Sequence, residues 1–221
     1  LRYAINLNAE GILLSLSSET SNLTHLMATK DSEIPLVLLD KTIYSDSFSS
    51  ISIDGEEATY QAVSYLLKKG LNQIAGVFGA PEMTITQTRV RGYRKALKEF
   101  GNSNEMEMMV DQIDAFPQVW AQFMAQNPNI DGIFTMSDEL LVRTHYALRK
   151  SGLKIPGDVA LFSISDGQAP LYLYPNVSHL KHSGFEVGKQ AAKLLFNLMS
   201  DFDNMTLDAK LPIELVELDS V

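Results

Sequence analysis

The 221-residue sequence contains no cysteine. That excludes disulfides, thiolate metal sites and a cysteine nucleophile, and it is neutral about compartment. Long apolar runs are also missing. No stretch approaches the roughly 18 apolar residues that a membrane helix needs, so no membrane partner is expected. Positive charge is scarce, with 18 Lys and Arg against 27 Asp and Glu and a formal net charge of −9. Phosphate contacts supply most non-specific nucleic-acid affinity, so any DNA-reading part is expected to lie outside these residues. The four histidines, His25, His145, His179 and His182, show no metal-ligand spacing. The motifs G-x-S-x-G, H-E-x-x-H, G-x-x-x-x-G-K and G-x-G-x-x-G are all absent. No cofactor, no metal and no catalytic residue are expected.

What is present is an alternation of short apolar runs and amphipathic segments. "GILLSLS" (11–17), "IPLVLLD" (34–40), "NQIAGVFGA" (72–80), "DGIFTMS" (131–137) and "VALFSIS" (159–165) each have the length of one strand. Most are apolar at consecutive positions, as strands buried on both faces of a parallel sheet are. "SSISID" (49–54) alternates, which suits an edge strand or a crossing segment. Helices follow these runs. In "DGEEATYQAVSYLLKKG" (54–70), Asp54 reads as the N-cap, Glu56 and Glu57 occupy the first turn, and Lys68 and Lys69 the last. "TRVRGYRKALKEFG" (88–101), "SDELLVRTHYALRKSG" (137–152) and "GFEVGKQAAKLLFNLM" (184–199) continue the pattern. Strand–helix alternation of this kind predicts an α/β fold with parallel sheets. The opening "LRYAINLNAEG" lacks the features of a signal peptide, as a mature exported protein would too. It reads as the end of a helix leading into a buried strand, and so predicts further chain before Leu1.

In open α/β sheets, ligands bind beyond the carboxyl ends of the strands. Ser15, Ser17, Asp40, Ser137, Asp138, Ser165 and Asp166 stand there. Short hydroxyls and carboxylates of this kind suit a polyol or sugar, and Arg89, near a helix start, would add a fork of donors. Plainer roles exist for each. Ser137-Asp138 also reads as a helix cap, Asp166-Gly167 as a turn, Asp54 as a cap, and Arg89 as a solvated helix residue. Asp40 lacks the adjacent acidic pair and downstream lysine that a phospho-acceptor usually needs. His179 and His182 are three apart in what reads as a strand and so point to opposite faces.

Several segments, in order, carry a family likeness. "ALRKSGLKIPGDVALFSISDG" (147–167) resembles the A-L-x-x-x-G-x-x-I-P-x-D-V-x-V-x-G-F-D-D segment of LacI/GalR-type bacterial transcription regulators. "EGILLS" (10–15) and "IPLVLLDK" (34–41) are similar to D-G-I-I-x-S and I-P-V-V-x-x-D-R. "SIDGEEATYQAVSYLLKKGLNQIAGVFG" resembles the family's V-x-x-D-N helix–glycine–strand stretch, "RVRGYRKAL" (89–97) its R-x-x-G-Y-x-x-A-L, and "LPIELVELDSV" (211–221) its closing strand.

The resemblance implies a two-lobed periplasmic-binding-protein-like fold with parallel sheets, its N-terminal lobe incomplete over these residues. The N-terminal lobe would hold 1–50 and 183–206, and the C-terminal lobe 51–182 and 207–221. A helix-turn-helix headpiece and a first strand–helix unit would lie upstream. It further implies a cytoplasmic, homodimeric, non-enzymatic effector sensor. That sensor would bind a small molecule, a sugar or sugar derivative, between the lobes and so modulate operator DNA binding through the headpiece. An exported sugar-binding protein, an α/β enzyme and an interaction module without a ligand are the alternatives. Carried over one position at a time, the ligand contacts fall on Arg89, Asp40, Ser15, Ser137, Ser165, Asp166 and His182. Ser137 stands where the family often has Asn, Ser165 where it has Asp, and His182 where Gln is common.

Overall fold

The computed structural model describes residues 1–17, 20, 22–41, 46–200 and 206–221. In chain order the elements are α1 (Arg2–Asn6), β1 (Ile12–Leu14), α2 (Met27–Asp31), β2 (Leu36–Leu39), β3 (Ser49–Ile53), α3 (Gly55–Lys68), β4 (Ile74–Phe78) and α4 (Thr84–Glu99). There follow β5 (Met106–Met109), α5 (Phe116–Gln126), β6 (Gly132–Thr135), α6 (Asp138–Lys150), β7 (Ala160–Ser165), α7 (Ala169–Tyr172), β8 (Ser178–Lys181), α8 (Gly184–Ser200), β9 (Asp208–Leu211) and β10 (Glu214–Val216). The chain divides into two compact units, 1–53 with 183–212, and 54–182 with 213–221.

The first unit holds a parallel sheet in the order β1-β2-β3-β9. Its strand β2 shows why consecutive apolar residues matter. Leu36 and Leu38 pack with Leu16, Leu26 and Phe48 on one side. Val37, between them, packs with Ile51, Val187 and Ala191 on the other. Successive side chains of a strand point to opposite faces, so a strand covered on both must be apolar throughout. β3, expected as an edge or crossing strand, is internal, and β9 forms the edge beside it. This moves the unit boundaries from the expected Ser50 and Thr206 to Ile53 and Pro212, because β9 pairs with β3 residue by residue and belongs to its sheet. Residues 201–205 of the expected 183–206 segment lie outside the described residues.

The second unit holds a six-stranded sheet, β10-β8-β7-β6-β4-β5, parallel except for β10. α3 packs on α4, and α5 on α6. The rings of Phe78, Tyr93 and Phe134 form the centre, with centroids 5.7 and 6.0 Å apart. α3 is bounded as its sequence predicts. Asp54 accepts from the N–H groups of Glu56 and Glu57 at 3.1 and 3.0 Å, and Gly70 supplies the positive φ of the stop. The strand order reverses at β4. From it the chain goes to β5 on one side, then crosses back to β6 on the other. Such a switch point leaves a crevice beyond the carboxyl ends of the two central strands, here β4 and β6.

Candidate functional site at the carboxyl ends of the strands

Five of the seven sequence-derived site residues lie in the second unit, on α4 or at or just past the ends of β6, β7 and β8. Ser137 follows β6, Ser165 ends β7 with Asp166 next to it, Arg89 lies on α4, and His182 follows β8. The backbone draws them together: the N–H of His182 donates to the Ser165 carbonyl at 3.0 Å. Arg89 Nη1 donates to the Met136 carbonyl at 2.5 Å, one residue before Ser137. Arg89 is 5% exposed, so it is not the solvated helix residue that its sequence context allowed. α4 begins at Thr84 rather than 88, which carries Arg89 into the second turn and onto the buried face.

The serines take on local work. Ser137 is the N-cap of α6, its Oγ accepting from the Leu140 N–H at 3.5 Å. Ser165 is buried, and its Oγ accepts from the Gly167 N–H at 3.3 Å. Asp166 and Gly167 are exposed and form the turn after β7. Asp138 stands closest to this turn. Its Oδ2 lies 3.3 Å from the point where a Cβ on Gly167 would sit. Burial pushes the Asp138 carboxyl above its ordinary value; the hydrogen bond and charge of Asp166 push the same way, while Ser165 pulls it down. His179 and His182 are both buried, but only His179 lies within β8, where its Nδ1 is 2.8 Å from the Val177 carbonyl.

Two residues that were not singled out complete the arrangement. The Met136 sulfur accepts from the Gly79 N–H at 3.0 Å and lies 3.8 Å from Thr86 Oγ1. A methionine ending a strand and a threonine inside a helix have no signature of their own; only the fold brings them together.

The remaining two site residues, Ser15 and Asp40, belong to the first unit. They follow the neighbouring parallel strands β1 and β2. Ser15 is exposed and Asp40 half-buried with φ 60°, its N–H donating to the Ile51 carbonyl at 3.0 Å. Among the described residues, no group of three or more His, Asp or Glu could hold a metal ion, and no helix is long and apolar enough to cross a membrane.

Comparison with known proteins places this geometry in a family. Residues 3–217 match the model described as periplasmic binding proteins and sugar binding domain of LacI family. The chain is 23% identical over 224 residues to the HTH-type transcriptional repressor PurR of Vibrio atlanticus, an alignment covering 100% of this chain and 67% of that protein. Its fold is similar to that of a transcriptional regulator CelR–cellobiose complex, with TM-score 0.88 at 22% identity, covering 100% of this chain and 68% of the other. It is also similar to a LacI family regulator of Enterococcus faecium with bound ribose, with TM-score 0.86 at 20% identity, covering 99% and 81%. The match over nearly its whole length shows that the chain belongs to the LacI family of transcription regulators, as its periplasmic-binding-protein-like effector-binding domain.

Proposed function

We propose that this chain senses a small molecule, a sugar or sugar derivative, for a transcription repressor and sets that repressor's affinity for operator DNA. What supports the reading is that Ser137, Ser165, Asp166 and His182 stand at the carboxyl ends of three neighbouring strands, β6, β7 and β8, and that Arg89 is bonded to Met136 beside Ser137. Hydroxyls, a carboxylate and a guanidinium suit the hydrogen-bonding perimeter of a carbohydrate. Ser15 and Asp40, which follow β1 and β2 in the first unit, are two further ligand contacts in this reading. Effector binding would favour one lobe arrangement and pass to a DNA-binding headpiece elsewhere in the protein, with a coupling of about 1–3 kcal/mol, or roughly 5- to 150-fold in affinity. The reading is of a binding protein rather than an enzyme, acting in the cytoplasm.

The proposal includes a homodimer. Val142 and Tyr146 on α6 and Leu171, Tyr172 and Tyr174 on and after α7 are exposed. The two elements touch, and His145 Nε2 lies 3.0 Å from the Tyr174 carbonyl. Glu139 and Arg143 flank the patch as an ion pair, which gives both signs of charge to an isologous contact.

The test is a thermal-shift screen against sugars, with ribose and cellobiose among them, followed by operator binding of the full-length repressor with and without each hit. A ligand at 100 times its dissociation constant adds about 2.7 kcal/mol of stability. If no sugar or sugar derivative raises the melting temperature, the reading fails. A second reading, an exported sugar-binding protein, draws on the matched family description, which spans both kinds of protein. The coding sequence ahead of Leu1 separates them: a helix-turn-helix supports the repressor, a signal peptide the exported protein.

A further inference from the structure

Asp138, the half-buried first residue of α6, borders two places at once. On one side its carboxyl faces the turn after β7. Oδ2 lies 3.3 Å from the point where a Cβ on Gly167 would sit, and Ser165 and Asp166 both interact with the carboxyl. On the other side Asp138 lines a groove along α6 with Glu139, Val142, Arg143 and Tyr146. That groove runs through the exposed patch to which the homodimer is assigned. Its charges do not balance. Glu139 pairs with Arg143 at 3.7 Å, which leaves the Asp138 carboxylate in excess. Asp138 Oδ1 is buried and has no hydrogen-bond partner among the described residues. The elements packed against α6 offer it no cation. β6, β7, α5 and α7 contain no Lys, Arg or His, and the charged group that faces it from beyond the helix is the acidic Asp166. On α6 itself, His145 lies against the Tyr174 carbonyl. In an isologous contact each copy brings the same face. With Asp138 ionised, two copies bring four carboxylates against two guanidiniums; with it neutral, they bring two of each. Burying a charge that has no partner is strongly unfavourable.

We propose that Asp138 is a proton-operated switch on the homodimer: two copies close on the α6 groove with its carboxyl neutral and separate more readily when it ionises. The inference rests on the homodimer reading and adds its regulation. The sign follows from the charge count. Closing the groove removes water from Asp138 without supplying a cation, so the dimer holds the proton to higher pH than the monomer does. Burial within one copy already raises this carboxyl above its ordinary value, against Ser165 and with Asp166. A ligand that engages Ser165 or Asp166 would act on the same carboxyl, and linkage makes its effect reciprocal with assembly.

The test is sedimentation equilibrium of this chain at fixed ionic strength, from about pH 5.5 to about pH 7.5. Asp138→Asn is neutral throughout and should dimerise roughly tenfold more tightly than wild type at the upper end, the factor that one pKa unit of linkage gives. Wild type should tighten towards this variant as pH falls. His145 is common to both proteins, so their difference reports Asp138. Asp138→Glu keeps the charge and should stay near wild type. Glu10→Gln removes one exposed negative charge from the first unit and should leave the dissociation constant in place. Val142→Asp should abolish the dimer, as a contact on α6 requires. Melting temperatures show whether each variant folds; if Asp138→Asn does not, the pH dependence of wild type read against Glu10→Gln decides. A constant unchanged by Asp138→Asn and flat with pH overturns the switch and leaves the homodimer standing. Equal tightening by Glu10→Gln does the same, because net charge alone then explains it. A dimer that survives Val142→Asp overturns the switch by placing the contact elsewhere. Absence of a dimer in wild type and Asp138→Asn at about 100 µM overturns the homodimer reading, and the switch with it.

Discussion

Arg89 Nη1 donates to the main-chain oxygen of Met136 across 2.5 Å, joining the second turn of α4 to the end of β6. The contact is buried, so it ties α4 to the strand end. Arg89→Ala is expected to lower the unfolding free energy by about 1–3 kcal/mol, because the Met136 carbonyl loses its charged donor. Arg89→Lys should recover part of this, since a lysine lacks the planar fork. Urea denaturation measures both. A solvated helix arginine would change stability by no more than about 0.5 kcal/mol, and that outcome would remove the structural role.

Gly92 sits three residues on, where α3 crosses α4. A Cβ there would lie 2.1 Å from the Glu56 carbonyl oxygen and 3.0 Å from its carbon. Main chain cannot step aside as a flexible side chain can. Gly92→Ala is therefore expected to cost at least the ~1–3 kcal/mol typical of overpacking, although alanine is the better helix former. Unchanged or raised stability on thermal unfolding would show that the two helices separate easily.

Tyr93 completes the motif. Its hydroxyl donates to the Ile74 carbonyl at 2.8 Å and accepts from the Met106 N–H at 2.9 Å, bridging β4 and β5 near their starts. Burial pushes the phenol well above its ordinary value, so it stays neutral. Tyr93→Phe keeps the ring against Phe78 and removes only the bridge. The expected loss is about 1–3 kcal/mol from two main-chain groups left without their partner. Hydrogen exchange should locate it, with the Met106 amide losing protection first; even loss of protection over the whole unit would argue against a local bridge.

These three residues explain what was legible. "RVRGYRKAL" resembles a family motif because each position has a separate physical task, and such tasks leave a fixed spacing. The central strands were legible because burial on both faces demands continuous apolar runs, as at Leu36, Val37 and Leu38. β5 was not, because it lies at the sheet edge and carries Glu107, which pairs with Arg94 on α4. α5 was missed as well: its N-cap, Ala115, has no side chain to cap with, and its first turn carries no acidic residue to mark the helix. The closing segment read as one strand, yet Pro212 ends the first unit and Ile213 begins the return to the second, so β9 and β10 serve different sheets. Hydroxyls and acids at strand ends could be picked out from the sheet rule alone. Thr86 and Met136 could not, because their meaning lies in a contact across 50 residues of chain.

Asp138 links the candidate site to pH. Burial, and then the neighbouring Asp166, make its charged form unfavourable, so the folded-state value lies above the ordinary 3.8. The folded chain then holds this proton to higher pH than the unfolded chain does. The stabilisation is complete below the ordinary value and is lost as pH rises through the raised one. Asp138→Asn has no proton to lose. Its stability relative to wild type should therefore rise between about pH 3 and about pH 7, with the change centred above the usual aspartate range. Some of the gain is offset at neutral pH, because Asn gives up a negative charge at the first position of α6; Glu139 keeps one in the same turn. Urea midpoints for both proteins across this pH range test the sign. A difference that stays flat would show that Asp138 titrates as it does in the unfolded chain. One that falls with pH would show that the helix dipole and Ser165 outweigh burial and Asp166.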